Sequence, residues 1–387
     1  MKILFTCRPT VGHLFPLLPL AEAARDAGHE VAFATSPSMV AQARGFGFDG
    51  FPAGRESLDP KARLAQFPEL EGVQRISREW FYTRMFAGYE SLERAPALLA
   101  IGREWGCDLI VNDWAELAGP AVAARLGIPS ATLGLAVPRP DIAELVEPWI
   151  APTWSSMGLE VPPYAGLFDG LFLDPCPPSM RPPGVQVPNT QAIRPGGGPP
   201  AGSDDADKLA QLPPGRLLLV TFGTIFGSNP GLYRTVIDGV RDLGRTVVVT
   251  LGSLTAPSAI GPLPGNVFCF DFLTQGTVLP RCDLVVTHGG SGSTLGPLTE
   301  GIPLLVLPQG ADQFDNADAV ARAGAGLVIQ PGDFNAAAVE AAARRLLDGA
   351  CATGARTVAE ELAAMPSPDE VIRSLERLAQ RGRTPRS

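Results

Sequence analysis

The sequence predicts an α/β protein built from two doubly wound, parallel-sheet domains. Three observations carry that expectation. At 387 residues, the chain holds roughly two and a half domains of about 150 residues each. Short Val/Ile/Leu-rich runs alternate with longer stretches of helical periodicity, the rhythm of βαβ units whose sheet is covered on both faces. That rhythm breaks in a Pro/Gly-rich stretch from Asp174 to Pro214, which contains RPGGGPP and QLPPG, and then restarts. Such a composition reads as a partly extended linker.

In the first half, strands are expected from Lys2 to Cys7, Glu30 to Thr35, Asp108 to Asp113 and Ser130 to Gly134. A helix follows the first strand from Phe15 to Ala27, with Pro16 suited to its first turn and Gly28 to its stop. Helical periodicity also covers Gln74 to Glu104 and Glu116 to Leu126. The second half carries strands at Arg216 to Phe222, Arg245 to Leu251, Val267 to Phe270, Asp283 to Thr287, Pro303 to Leu307 and Gly326 to Ile329. Helices fit Leu232 to Leu243, Ser291 to Glu300, Asp315 to Ala323, Ala336 to Leu347 and Val358 to Ala364. The domains are therefore drawn as residues 1–200 and 215–365, with an amphipathic tail over 366–387 that returns to the first domain.

Composition narrows the function. Apolar residues make up 45% and charged residues 18%, so each domain can bury a core and global disorder is excluded. The formal charge is −9, and no basic cluster stands out before Arg381, Arg383 and Arg386. Nucleic-acid binding, which needs a basic footprint, is not expected. Six cysteines are scattered without a C-x-x-C pair, the usage of a reducing compartment and neither a disulfide framework nor a zinc site. Arg8, Pro9 and His13 interrupt the apolar start that a signal peptide would need. No apolar stretch approaches the roughly 18 residues of a membrane span. A cytoplasmic protein without a membrane partner is expected.

The most informative segment is CDLVVTHGGSGSTLGPLTEGIPLLVLPQGADQFDN, from Cys282 to Asn316. A strand runs into the Gly-rich turn His288, Gly289, Gly290, Ser291 and Gly292, and a helix begins near Ser293. At the carboxyl edge of an open α/β sheet, such a turn aims unsatisfied amides and the positive helix end at one point, which suits a phosphate. His288, Ser291, Ser293 and Thr294 add side-chain donors. Walker A is excluded because no lysine is near, and the dinucleotide fingerprint fails because Gly296 comes one position late. The alternative is an ordinary tight βα turn.

His13 follows the first strand of the other domain. A lone His there would cap a helix or fill a turn, but Asp113 ends another strand on the same sheet edge. A His held by an Asp is the arrangement a general base requires. His29, at the opposite edge, is expected to be structural, Asp333/Asn335 a helix cap, and Asp204/Asp205 a solvated loop. Trp80, Phe81, Tyr82, Met85, Phe86 and Trp114 concentrate aromatic and apolar surface in the first domain, either as core or as the lining of an apolar acceptor cleft.

Taken together, these segments make the chain resemble the family one nucleotide-sugar glycosyltransferases of GT-B fold, of the actinobacterial type that glycosylates polyketides and other natural products. The resemblance runs almost end to end, through GHLFPLLPLAEAARDAGHEV, DLIVNDWAELAGPAVAARLGIP, VTFGT, FLTQGTVLPRCDLVVTHGGSGST, EGIPLLVLPQGADQFDNA and MPSPDEVIRSLERLA. It implies two facing Rossmann-like domains with a cleft between them, His13 as general base and Asp113 as its orienting partner. For the donor it implies Phe272 against the pyrimidine and the Leu273 backbone on the base edge. Thr224, His288, Gly290, Ser291, Gly292 and Ser293 would surround the diphosphate, and Asp312 and Gln313 would bind the sugar hydroxyls. Two departures stand out. Thr274 replaces the usual proline, and Gly296 stands where many UDP-sugar enzymes carry a glutamate for the ribose hydroxyls. That loss favours a dTDP-sugar, although Glu300, one turn later, offers a replacement acceptor. The implied activity is inverting transfer to a hydroxyl of an apolar aglycone, with no cofactor and no metal, by a monomer or homodimer. Two rivals are a nucleotide-sugar epimerase, which would ring the sugar with acids, and a non-catalytic partner protein, which would lose His13 or the Asp312/Gln313 pair.

Overall fold

The computed structural model describes residues 1–58, 60–73, 76–196, 204–223, 229–252 and 255–382, which fall into two compact units. One comprises Met1–Cys176, Pro183–Arg194 and the chain from Pro366 onward; the other comprises Pro177–Pro182 and Pro195–Met365.

In the first unit, β1 (Lys2–Thr6), β2 (Glu30–Thr35), β3 (Asp49–Pro52), β4 (Leu109–Asp113), β5 (Ser130–Leu133), β6 (Leu171–Asp174) and β7 (Thr190–Ala192) form one sheet. The order is β3-β2-β1-β4-β5-β6-β7, and every pairing is parallel. Successive side chains enter opposite cores. Leu4 packs with Ala32 and Ile110 on one face, while Ile3 and Phe5 pack with Phe33, Leu109 and Val111 on the other. This alternation is why the inner strands read as unbroken apolar runs.

The helix after β1 begins earlier than expected. A turn over Val11–Leu14 passes through a tight turn at Phe15–Leu17 into α1 (Leu18–Asp26). Pro16 has no N–H to continue the α-helical ladder, so the chain tightens there instead of starting there. His13 consequently sits on a helical turn. The stretch expected to be helical up to Glu104 divides in three: a turn at Arg78–Trp80, a π-helical run over Phe81–Glu90, and α2 (Ser91–Trp105). Beyond β4 come α3 (Ala118–Leu126) and α4 (Pro140–Ser156).

In the second unit, all six expected strands form: β8 (Leu217–Thr221), β9 (Thr246–Thr250), β10 (Val267–Phe270), β11 (Cys282–Thr287), β12 (Leu304–Val306) and β13 (Gly326–Val328). Their order, β10-β9-β8-β11-β12-β13, repeats the winding of the first sheet. The helices needed below are α5 (Ser291–Thr299), α6 (Gln313–Arg322) and α7 (Ala336–Leu347). In both sheets the winding reverses between two neighbouring strands, β1 and β4 in one and β8 and β11 in the other. Ligands bind in the crevice beyond the carboxyl ends of such strands.

Several expectations need correction. β3, β6 and β7 were not anticipated, and β7 lies inside the segment read as linker, as does a helix at Asp205–Ala210. α4 was missed because it carries Pro148 and Pro152 in its interior, residues that normally argue against a helix. The helix placed at Val358 starts six residues earlier, at Ala352. The tail forms α8 (Pro368–Gly382), whose Val371, Ile372 and Leu375 are buried in the first unit's core with Ile3 and Phe5. His29 reaches Glu376 of this helix at 3.2 Å. Among the described residues, no helix is long and apolar enough to cross a membrane.

Candidate functional site

Each switch point carries a cluster of polar side chains. In the first unit, β4 ends at Asp113, which is fully buried. A buried carboxylate must be paired or neutralised, and Asp113 is met from three sides. His13 Nδ1–H donates to Oδ1 at 2.8 Å, the Ala115 N–H donates to the same oxygen at 2.8 Å, and the Arg8 N–H donates to Oδ2 at 2.9 Å. Burial pushes the carboxyl pKa up, but the His13 charge and hydrogen bond together with the two backbone donors outweigh it and hold the group below its ordinary range. An ionised Asp113 accepts only, so the imidazole proton stays on Nδ1 and the lone pair on Nε2 is left to take a proton. His13 keeps 15% of its side chain exposed.

Two residues here had no assigned role in the sequence. Arg8 is buried, its guanidinium gripped by Glu90 through Nε–Oε2 at 2.7 Å and Nη2–Oε1 at 2.8 Å, and it lies 3.6 Å from the centroid of the Phe86 ring. Burial disfavours its charge, but Glu90 more than restores it and the net shift is upward. The remaining nitrogen, Nη1, stands 3.4 Å from His13 Nε2. Arg8 was legible as a charged residue at the end of a strand; Glu90, 82 residues away, gave no local signal.

Of the proposed acceptor residues, Tyr82, Met85, Phe86 and Trp114 are buried in the first unit's core, and Trp80 and Phe81 are half-buried against it. Trp114 stacks on Phe168 with ring centroids 5.7 Å apart. Of these, Phe86 is the one whose ring supports Arg8 beside His13.

In the second unit, β11 delivers Thr287 and His288, and the chain turns through Gly289 and Gly290 into α5. Gly289 has φ +88°, and a side chain there would also strike Val306, so only glycine makes this turn without strain. Thr287 Oγ1 accepts the Gly289 N–H at 3.1 Å and lies 2.7 Å from Ser293 Oγ. Ser293 Oγ also donates to the Gly290 carbonyl, so the backbone of Ser293, more than its hydroxyl, faces the helix end. The first N–H groups of α5, at Ser291, Gly292 and Ser293, have no acceptor within the helix.

The His288 ring lies where side chains on Gly223 and Gly290 would otherwise be: a Cβ on Gly290 would fall 2.6 Å from its Nε2. Burial pushes the His288 pKa down to about 4, opposed only by a hydrogen bond with the Thr221 backbone, so the ring is neutral at physiological pH. Asp312 Oδ2 accepts from Ser291 Oγ at 3.0 Å and from Asn316 Nδ2 at 3.1 Å, tying the next loop to the helix start. Ala311 just before it adopts left-handed backbone, φ +52°, the kind of strain that persists where a loop is held in one conformation. Gln313 is buried, and its Oε1 accepts the Gln309 and Gly310 N–H groups at 2.7 and 3.0 Å. Phe272 is 47% exposed, and Leu273 beside it is buried. The turn after them is fastened by Asp205, which is buried and accepts the Thr274 N–H at 3.0 Å. Asp205 is therefore not part of a solvated loop. The cap expected at Asn335 is present, its side chain accepting the Ala338 N–H at the start of α7. Thr224 lies outside the described residues. A Cβ at Gly296 would meet Gln275 Oε1, the movable end of a flexible side chain. Among the described residues, no group of three or more His, Cys, Asp or Glu side chains is placed to hold a metal ion.

Comparison with known proteins converges on one family. A family model described as the erythromycin biosynthesis protein CIII-like C-terminal domain matches residues 234–378. The L-demethylnoviosyl transferase of Streptomyces niveus is 32% identical over the whole of both chains. Among solved structures, the glycosyltransferase SsfS6 of Streptomyces sp. SF2575, complexed with thymidine diphosphate, is 29% identical with TM-score 0.77, covering 97% of this chain and 99% of that one. The spinosyn rhamnosyltransferase SpnG complexed with spinosyn aglycone is 26% identical with TM-score 0.78, covering 97% of this chain and all of that one. With the two sheets wound alike and the strand-end clusters in place, the chain belongs to the GT-B nucleotide-sugar glycosyltransferases of family one, in the actinobacterial antibiotic branch, and is a natural-product glycosyltransferase.

Proposed function

We propose that the enzyme moves a sugar from a dTDP-sugar to a hydroxyl of an apolar natural-product aglycone with inversion at the anomeric carbon. The observation that carries this is the His13–Asp113 pair at 2.8 Å, with Asp113 fixed by two backbone N–H groups. As the acceptor oxygen attacks, His13 Nε2 takes its proton, and Asp113 steadies the imidazolium that forms. The anomeric carbon–oxygen bond breaks on the opposite face and the nucleoside diphosphate leaves. General-base assistance of this kind is typically worth about 10² to 10⁴ in rate.

The leaving diphosphate acquires charge. The α5 amides and helix end meet it with fixed dipoles that need no reorganisation, a scheme in which no metal is needed. Phe272, which is 47% exposed, is the side chain proposed to meet the pyrimidine. Asp312 and the Gln313 amide nitrogen are the groups left for the sugar hydroxyls. The preference for thymidine rests on Gly296, which brings no carboxylate acceptor for a ribose 2′-hydroxyl. The relative that binds thymidine diphosphate supports the same reading.

The test is a donor panel with the anomeric configuration of the product read by NMR. The proposal expects higher kcat/KM for dTDP-glucose than for UDP-glucose, and a β-glycoside from either α-linked donor. Equal use of both donors would remove the nucleotide preference, and an α-glycoside would remove the single-displacement mechanism.

A further inference from the structure

Arg8 is held more firmly than a packing role requires. Two of its three guanidinium nitrogens are taken by Glu90 and its flat face by Phe86, which leaves Nη1 aimed at His13. The π-helical run Phe81–Glu90 supplies both restraints, since Phe86 and Glu90 lie about one π-helical turn apart. Nη1 stands 3.4 Å from His13 Nε2, a long contact that does not consume the lone pair strongly. An acceptor atom that approaches Nε2 from the side of Arg8 can give it a proton and also come within reach of this fixed, charged N–H donor.

We propose that Arg8 is a further acceptor-binding residue, whose Nη1–H donates to the attacking atom while His13 Nε2 removes its proton, and that this pairing selects oxygen over nitrogen nucleophiles. The proposal rests on His13 being the base. A hydroxyl oxygen has two lone pairs, so one accepts from Arg8 while the other forms the bond to the anomeric carbon. An arylamine nitrogen has a single lone pair, which it cannot both give to Arg8 and use in attack. The proton passes to His13, the new C–O bond replaces the C–O bond to the diphosphate, and Arg8 ends the step as it began. The guanidinium fork matters as well as its charge. A lysine ammonium at this position could pair with Glu90 but could not also hold a second N–H in a fixed direction.

The experiment compares 7-hydroxy-4-methylcoumarin with 7-amino-4-methylcoumarin as acceptors for dTDP-glucose in wild type, Arg8→Met, Arg8→Lys and His13→Ala. A charge-assisted hydrogen bond lost from a desolvated site is worth roughly ten- to a hundredfold. The hydroxyl-to-amine ratio of kcat/KM is therefore expected to fall by about that factor in Arg8→Met, with Arg8→Lys in between. A destabilised fold lowers both rates together and leaves the ratio alone, so a loss of both in proportion overturns the proposal. Binding of the hydroxycoumarin, followed by its fluorescence without turnover, is expected to weaken in Arg8→Met; equal binding, or none to wild type, overturns it. Full activity in His13→Ala would instead remove the base on which the proposal rests, whatever the Arg8 variants do.

Discussion

Asp113 shows how much a single buried atom group can fix. With both oxygens engaged, it dictates the His13 tautomer and the direction of its ring. Asp113→Asn removes the charge and presents an amide N–H to Nδ1, which favours the wrong tautomer. The expected loss in kcat is about 10²- to 10⁴-fold, with dTDP affinity unchanged because the residues proposed for the nucleotide are in the other unit. Steady-state rates beside a calorimetric titration with dTDP check both halves. A variant with wild-type kcat would show that the tautomer is set by something else.

His288 makes an opposite demand, because it is kept neutral. Its pKa falls from 6.5 to about 4 on folding. Between those values the unfolded chain binds a proton that the folded chain refuses, so stability drops as pH falls through that window and is level above it. The contribution lost between about pH 7 and pH 5 is about 2 kcal/mol. Urea unfolding of wild type and His288→Gln at the two pH values should show this loss in the first and not in the second. Parallel losses in both would mean that other groups carry it.

Among the elements, the turn from β11 into α5 is the most constrained, because the His288 ring leaves no room for a Cβ on Gly290. Gly290→Ala must shift the ring or the turn, and with it the amides proposed to meet the diphosphate. Affinity for dTDP is expected to fall about tenfold or more, corresponding to a loss of at least roughly 1.4 kcal/mol. Unchanged affinity by calorimetry would show that the turn does not hold the diphosphate. The glycine pattern made this turn legible in the sequence. The Arg8–Glu90–Phe86 arrangement was not legible, since a π-helical run has no familiar spacing and its partner is 82 residues away.

The two units were not equally readable. β8, β9 and β11 are dense in Val and Leu and stood out at once, as did β1, β2 and β4. β3 is DGFP and β7 is TQA, edge strands whose polar or breaker residues carry no apolar alternation. β7 joins its sheet only through pairing with β6, so long-range pairing decides it and the local sequence does not. Asp205 is another case: its partner, the Thr274 backbone, lies 69 residues away, so its local sequence reads only as loop.

At the scale of the whole molecule, an acidic chain needs no basic run to hold an anionic donor if, as proposed, the glycine amides and helix end of α5 meet the diphosphate. The division of labour follows the two switch points. One unit carries the proposed base and its supports, and the other carries the residues assigned to the donor. Neither cluster alone accounts for transfer, so the decisive question is whether His13 is needed while donor binding is intact. Acceptor-dependent release of dTDP from dTDP-glucose, followed for wild type and His13→Ala at matched donor saturation, measures this directly. His13→Ala is expected to lower this release about 10²-fold or more with dTDP binding retained; release at the wild-type rate would show that His13 is not the base.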